Sequence, residues 1–144
     1  MKYNSRLEHA RLLGELLGHY VRQRTVKLDV LVPVPLHRNR WRKRGFNQAY
    51  ELARWVARVT STPVASTICR RIADTPPLWS QPSCDRRRLL GSAFESDGDI
   101  VGKRVAVIDD ILTTGSTASA VATSLLAAGA RTVTVWAVAR TAGT

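Results

Sequence analysis

The chain is poor in cysteine. Cys69 and Cys84 are its two thiols, too few for a disulfide framework and too far apart for a Cys-x-x-Cys pair. His9, His19 and His37 are scattered, so no zinc site is visible. Both thiols are expected to be reduced, which implies a cytoplasmic protein. No apolar run approaches a membrane span, and no signal-peptide pattern opens the chain. Internal repeats and low-complexity linkers are absent as well. Acidic residues are scarce: 11 Asp and Glu stand against 22 Lys and Arg, a net charge of +11. That excess is silent about fold but favours anionic partners, whether phosphorylated metabolites or nucleic acid. With 144 residues, 44% of them hydrophobic, a single domain over residues 1–144 is expected to bury a sizeable core.

The stretch most informative about chemistry is Val105 to Thr117, Val-Ala-Val-Ile-Asp-Asp-Ile-Leu-Thr-Thr-Gly-Ser-Thr. Val105 to Ile108 is a β-branched run of the kind that forms a buried strand. Asp109 and Asp110 stand at its carboxyl end, and a turn of hydroxyl residues around Gly115 follows. Ala118 to Ala128 then reads as a helix, with Gly129 placed as its C-terminal cap. A helix amino terminus leaves N–H groups unpaired and carries the positive end of the dipole, which suits a phosphate. Gly115 lets backbone approach closely, and Thr113, Thr114, Ser116 and Thr117 add hydroxyl donors. The two carboxylates are good acceptors for vicinal ribose hydroxyls. An ordinary strand-to-helix turn with a capping hydroxyl explains Gly115 and Ser116. It does not explain two consecutive aspartates ending an apolar strand. Nor is this a Walker loop, because no Gly-Lys-Ser/Thr follows and the acidic pair precedes the glycine.

These thirteen residues resemble the phosphoribosyl-pyrophosphate (PRPP) motif of type I phosphoribosyltransferases. Leu31-Val32-Pro33-Val34-Pro35-Leu36-His37 and Arg44-Gly45-Phe46-Asn47-Gln48 are similar to the ComF/GntX (competence protein ComF) branch of that family. The resemblance runs from Lys2-Tyr3 to Arg140. Members of the branch often carry a four-cysteine zinc module ahead of this domain. Its absence here implies a short member or the carboxyl-terminal part of a longer protein.

The rest of the chain fits an α/β arrangement. Leu7, Ala10, Leu13, Leu17 and Tyr20, widened by Leu12 and Leu16, mark an amphipathic helix of about 18 residues. Val30 to Val34 reads as a second buried strand. From Arg38 to Arg44 five of seven residues are cationic, which reads as a basic loop, with Trp41 available to stack on a base. Ala49, Leu52, Ala53, Val56 and Ala57 give a helical stripe between Phe46 and Val59, with Asn47 and Gln48 at its start to orient the basic loop. Val64 to Ile68 is expected to form a strand. Ala73 to Asp85, with Pro76, Pro77 and Pro82, followed by Arg86-Arg87-Arg88, reads as a functional or mobile segment. Arg131 to Arg140 closes a βαβ unit, expected to be right-handed.

The resemblance implies a central, mostly parallel sheet flanked by helices, with the site at the strand carboxyl ends. It implies transfer of ribose 5-phosphate from PRPP to an acceptor with release of pyrophosphate. Asp109 and Asp110 would hold the ribose hydroxyls and, through water, Mg²⁺. Thr113, Thr114, Gly115, Ser116 and Thr117 would hold the 5-phosphate. Pro35, Leu36, His37, Arg38 and Arg44 would form the pyrophosphate loop, and Arg88 would join Asp109, Asp110 and Arg38 as a catalytic residue. The branch commonly has Gln near position 78 and Asn near position 89, where this chain has Leu78 and Leu89; Gln81 is a substitute if the loop is shifted. Hypoxanthine-guanine salvage enzymes have an aspartate where Thr113 stands, so that reaction is not expected. The partners implied are PRPP, an unidentified acceptor, single-stranded DNA or the DNA-uptake machinery, and a second copy in a homodimer. The rival reading is a protein that senses PRPP or binds DNA without catalysis.

Overall fold

The computed structural model describes residues 2–24, 26–74 and 90–141, without the side chains of residues 2–4. Three strands form a parallel sheet in the order β1 (Val30–Pro33), β4 (Arg104–Leu112), β5 (Thr132–Arg140). Val64 adds a single parallel bridge to Leu31 beyond β1. A separate antiparallel pair, β2 (Cys69–Arg71) and β3 (Phe94–Ser96), lies against the sheet's flank. The helices are α1 (Lys2–Arg22), α2 (Arg38–Arg44), α3 (Gln48–Thr60) and α4 (Ser116–Ala127).

Strand alternation divides the core into two layers. Val30, Val32, Val105 and Val107 point to the face covered by Val121 and Leu125 of α4 and by Cys69 and Phe94 of the small pair. Leu31, Ala106 and Ile108 point to the opposite face, where Leu52, Ala53 and Val56 of α3 cover them and α1 adds Ala10 and Leu17. Both faces of β4 are thus buried, which is why Val105 to Ile108 is continuously apolar.

Several expectations are corrected. The strand at Val105 runs on to Leu112, so Asp109 and Asp110 lie within its paired length, with Asp109 beside Ala137. Parallel β5 extends equally far and keeps the ladder going past the apolar run. The basic segment from Arg38 to Arg44 is a helix, capped by His37 and closed by Gly45 in the left-handed region. None of its residues is buried, so it carries no apolar periodicity to betray it. Of Val64 to Ile68, only Val64 pairs.

In α1 only Ala10 and Leu17 of the expected stripe pack on the core. Leu7, Leu12, Leu13, Leu16 and Tyr20 are exposed, while Gly14, Gly18 and Val21 are buried. A Cβ on Gly14 would lie 2.6 Å from Trp55 Cβ, and one on Gly18 would lie 2.8 Å from Val59 Cβ. Two glycines a turn apart let the α1 backbone close on α3, an approach that leucines at those positions would prevent.

Candidate functional site at the carboxyl end of the sheet

The β1–β4 register decides which loops meet. Pro33 sits beside Ile108, and the Val34 N–H donates to the Ile108 carbonyl at 2.9 Å. The loop that leaves β1 therefore starts next to the two aspartates. At the opposite end Arg104 locks this register. Its Nε and Nη2 donate to the two oxygens of Asp29 at 3.0 and 2.9 Å, and its backbone N–H donates to the same carboxylate at 2.8 Å. Those bonds hold the Asp29 carboxyl well below the usual range. Asn47 secures the site end: its amide donates to the Val34 carbonyl at 3.0 Å and its oxygen caps α3 through Ala49 N–H. Both bonds tie α3 to the strand, where the sequence led us to expect a tie to the basic segment.

Asp109 and Asp110 are half-buried neighbours, and each side chain bonds to the next backbone N–H of β4. Asp109 accepts the Asp110 N–H at 2.9 Å, and Asp110 accepts the Ile111 N–H at 2.9 Å. Burial pushes the Asp109 carboxyl up to about 7, helped by its hydrogen bond with Asp110 and by repulsion from that charge. In the following turn Thr114 Oγ1 and Ser116 Oγ are 2.8 Å apart, and Thr114 Oγ1 accepts the Ser116 N–H at 3.4 Å. Gly115 has φ of +78°, and a Cβ built there would meet nothing within 4 Å. The turn is an open cup before the amino terminus of α4. Thr113 and Thr114 are exposed on its rim, with Ser116 and Thr117 partly covered.

Seven of the expected site residues are divided among three cavities, while Asp109, Thr113, Thr114, Ser116 and Thr117 line none of the three. The largest, about 690 Å³, holds Pro35, Leu36, His37 and Arg38 together with Trp41, Tyr50 and Arg71. A second, about 470 Å³, holds Arg44 and Asp110 with Arg6, His9, Phe46 and Gln48. A third, about 380 Å³, holds Gly115 with Leu112, Ser119 and Arg140. Arg38 and Arg44 are thereby separated, because they occupy opposite ends of α2, roughly 9 Å apart at 1.5 Å per residue. Asp74 steadies the Arg38 end. It accepts from Asn39 Nδ2 at 3.0 Å and lies 3.7 Å from His37 Nδ1 and 4.0 Å from Arg40 Nε. The Asn39 bond, with His37 and Arg40 behind it, lowers the Asp74 carboxyl. Leu78, Gln81, Cys84, Arg86 to Arg88 and Leu89 lie outside the described residues.

Arg6, His9, Asp29, Asp74 and Arg104 were not singled out from the sequence. Their partners are 35 or more residues away, or belong to another element, so no local spacing marks them. Gly14 and Gly18 did carry a signal in their four-residue spacing. Cys69 is buried, and burial raises its thiol pKa. Among the described residues no group of three His, Cys, Asp or Glu could hold a metal ion. The acidic pair therefore fits a cation only if a ligand supplies further oxygens.

No family model matches the chain. Competence protein F of Haemophilus influenzae is 34% identical over 135 residues, which cover 91% of this chain and 59% of that protein. The chain belongs to the competence protein F (ComF) family. The DNA utilization protein YhgH of Escherichia coli K12 is 34% identical over 146 residues, covering 98% of this chain and 64% of the relative. The ComF-family domain described here thus spans about three-fifths of the length of both. Among solved structures, a glutamine PRPP amidotransferase from B. subtilis matches with a TM-score of 0.62 at 21% identity, over 90% of this chain and 26% of that one. A purine phosphoribosyltransferase from Pyrococcus horikoshii matches with a TM-score of 0.55 at 17% identity, over 94% and 73%. At those identities the likeness establishes the type I phosphoribosyltransferase fold. Among the described residues no helix is long and apolar enough to cross a membrane.

Proposed function

We propose that this ComF-family domain binds PRPP at the carboxyl end of β4 and transfers its ribose 5-phosphate to an acceptor, releasing pyrophosphate. The observation that carries the reading is the register that starts the loop leaving β1 beside Ile108, one residue before the two aspartates, with the Gly115 cup downstream in the same chain segment. Asp109 and Asp110 would accept the ribose hydroxyls. The Gly115 cup and the first N–H groups of α4 would hold the 5-phosphate. Arg38 and His37 would face the pyrophosphate, with Arg44 flanking the ribose from the far end of α2. Arg88 belongs to the same proposal by resemblance. Mg²⁺ would be held by the diphosphate oxygens, with Asp109 and Asp110 reached through water, and would neutralise charge on the departing group. The protein's own share is positioning the two reacting groups and surrounding the anionic leaving group with fixed cations. Calorimetry with Mg²⁺-PRPP tests binding, and pyrophosphate release across a panel of acceptors tests transfer. No heat with Mg²⁺-PRPP at millimolar concentration would sink the proposal.

A second reading keeps the fold and gives α2 to DNA. None of its seven residues is buried, five are cationic, and Trp41 is 55% exposed. Relatives carry names that refer to competence and DNA utilization. In this reading the basic helix meets single-stranded DNA while the acidic site senses PRPP without turnover.

A further inference from the structure

We infer that the cavity between α1 and the Asp110 end of β4 is the acceptor site and takes a planar nitrogen heterocycle bearing a carboxylate. The inference rests on the PRPP reading above and adds the substrate class. At about 470 Å³ the cavity lies within the usual range for small-ligand sites. Its walls divide by chemistry. Phe46, Leu13, Leu52 and Ala10 offer apolar surface to a flat ring, while Arg6, His9, Arg44 and Gln48 supply polar groups. Asp110 is the one acid on the lining, and it is committed to the ribose in the PRPP reading. What remains is cationic: the Arg6 guanidinium, whose forked donors match a carboxylate in paired hydrogen bonds, with Arg44 behind it on the ribose side.

The other two cavities fit this role less well. The largest contains neither aspartate, and in the PRPP reading its His37 and Arg38 end is taken by the pyrophosphate. The third, beside Gly115, is lined by Ala118, Ala122, Val135 and Leu112 and contains neither aspartate. Of the three, the α1 cavity alone opens against a ribose-holding carboxylate.

Thr113 limits the nucleophile rather than its charge. It cannot take a proton near neutral pH, so the acceptor nitrogen attacks with a free lone pair or loses its proton to water. In the step, the nitrogen lone pair forms the bond to ribose C1 while the C1–oxygen bond breaks. The electron pair of the broken bond leaves with pyrophosphate, and any proton on the nitrogen passes to water at the exposed rim where Arg6 and His9 stand. The glycine seam places that rim. Because Gly14 and Gly18 seat α1 hard on α3, the preceding turns carry Arg6, His9 and Ala10 over the sheet end.

The test titrates two acidic probes, orotate and pyridine-3-carboxylate, against their neutral counterparts uracil and nicotinamide, by saturation-transfer NMR. Mg²⁺-PRPP affinity is measured separately by calorimetry, and thermal melts confirm folding. The acidic probes should bind at least tenfold more tightly than the neutral ones. Arg6→Ala combined with His9→Ala should erase that preference and leave PRPP affinity within twofold. Arg6→Lys should retain part of it, and Arg22→Ala, which removes a charge from the same helix outside the cavity, should change nothing. Equal binding of neutral probes, binding of neither acid, or a preference that survives loss of Arg6 and His9 would overturn the inference while PRPP binding stands. Weakened PRPP binding in the Arg6 variant would overturn it too, by assigning the cavity to pyrophosphate. A wild-type protein that binds the acids but not PRPP would defeat the PRPP reading itself, and with it the acceptor role.

Discussion

The Asp109 carboxyl is the residue of the proposed site whose titration is most displaced. Its raised pKa means the folded protein holds a proton there that the unfolded chain releases near the ordinary value of 3.8. The sign follows. Below about 4 both states are protonated and the contribution is constant. Between about 4 and 7 the unfolded state loses its proton first, so stability falls as pH rises, and it levels off above 7. Asp109→Asn should flatten that decline, by an amount on the order of 1–3 kcal/mol at pH 8, in urea melts taken from pH 4 to 8. A wild-type profile as flat as the variant's would show Asp109 ionised throughout. The double change Asp109→Asn with Asp110→Asn should abolish PRPP binding in a folded protein; unaltered affinity would remove the pair from the ribose. Gly115 supplies the other residue-scale test. Its φ of +78° strains any side chain, and the open space above it is where a phosphate would sit. Gly115→Val should cost about 1–2 kcal/mol of stability from the backbone alone and weaken PRPP by far more. Loss of folding with ligand affinity kept would make the glycine purely structural.

At the scale of elements, what could be foreseen followed from whether an element buries one face. The β4–turn–α4 unit was legible because Val105 to Ile108 is buried on both sides and Gly115 and Gly129 punctuate it. Helix α3 was legible because Ala49, Leu52, Ala53 and Val56 form its buried stripe. Helix α2 was not, since seven exposed residues have no stripe at all. Strand β3 was missed because three residues are too few for an alternation to show. In α1 the expected stripe is only partly the buried one: Ala10 and Leu17 pack on the core, while the other leucines stay exposed because the close contact with α3 is made through the glycines. The acidic pair and Gly115 were named from the sequence, but the split of Arg38 and Arg44 between two cavities needed the α2 geometry. The glycine seam yields its own prediction. Gly14→Val would drive a side chain into Trp55 and the Leu52 carbonyl, and should destabilise by about 1–3 kcal/mol in urea unfolding. An unchanged midpoint would mean that α1 can shift without penalty.

For the whole molecule the dominant property is a charge of +11, and the question is whether it serves the small ligand or a polymer. Only the cations nearest the site can reach a diphosphate, whereas every exposed cation on a DNA path counts. Arg42→Ala and Lys43→Ala should therefore leave Mg²⁺-PRPP affinity unchanged. Each should make the log–log salt slope of single-stranded DNA binding shallower by about 0.7 for every phosphate it no longer neutralises. A salt titration of the two variants with labelled oligonucleotide measures this. Slopes equal to the parent's would take α2 off the DNA path. Competition then decides whether the surfaces overlap. Displacement of DNA by Mg²⁺-PRPP beyond that by an equally charged polyphosphate would put both ligands at one site.

The Asp29–Arg104 fork joins residues 75 positions apart, and this has a consequence for the chain as it is synthesised. A nascent chain released only as far as Lys103 has made the loop after β1 and the basic helix, but neither Asp109, Asp110 nor the Gly115 cup. The sheet at that moment has no central strand, since β4 lies between β1 and β5. The cations that the proposed site would use are therefore made before its two carboxylates. During that interval the basic helix stands without Asp109 and Asp110, and only the arrival of β4 brings the two halves of the proposed site onto one sheet.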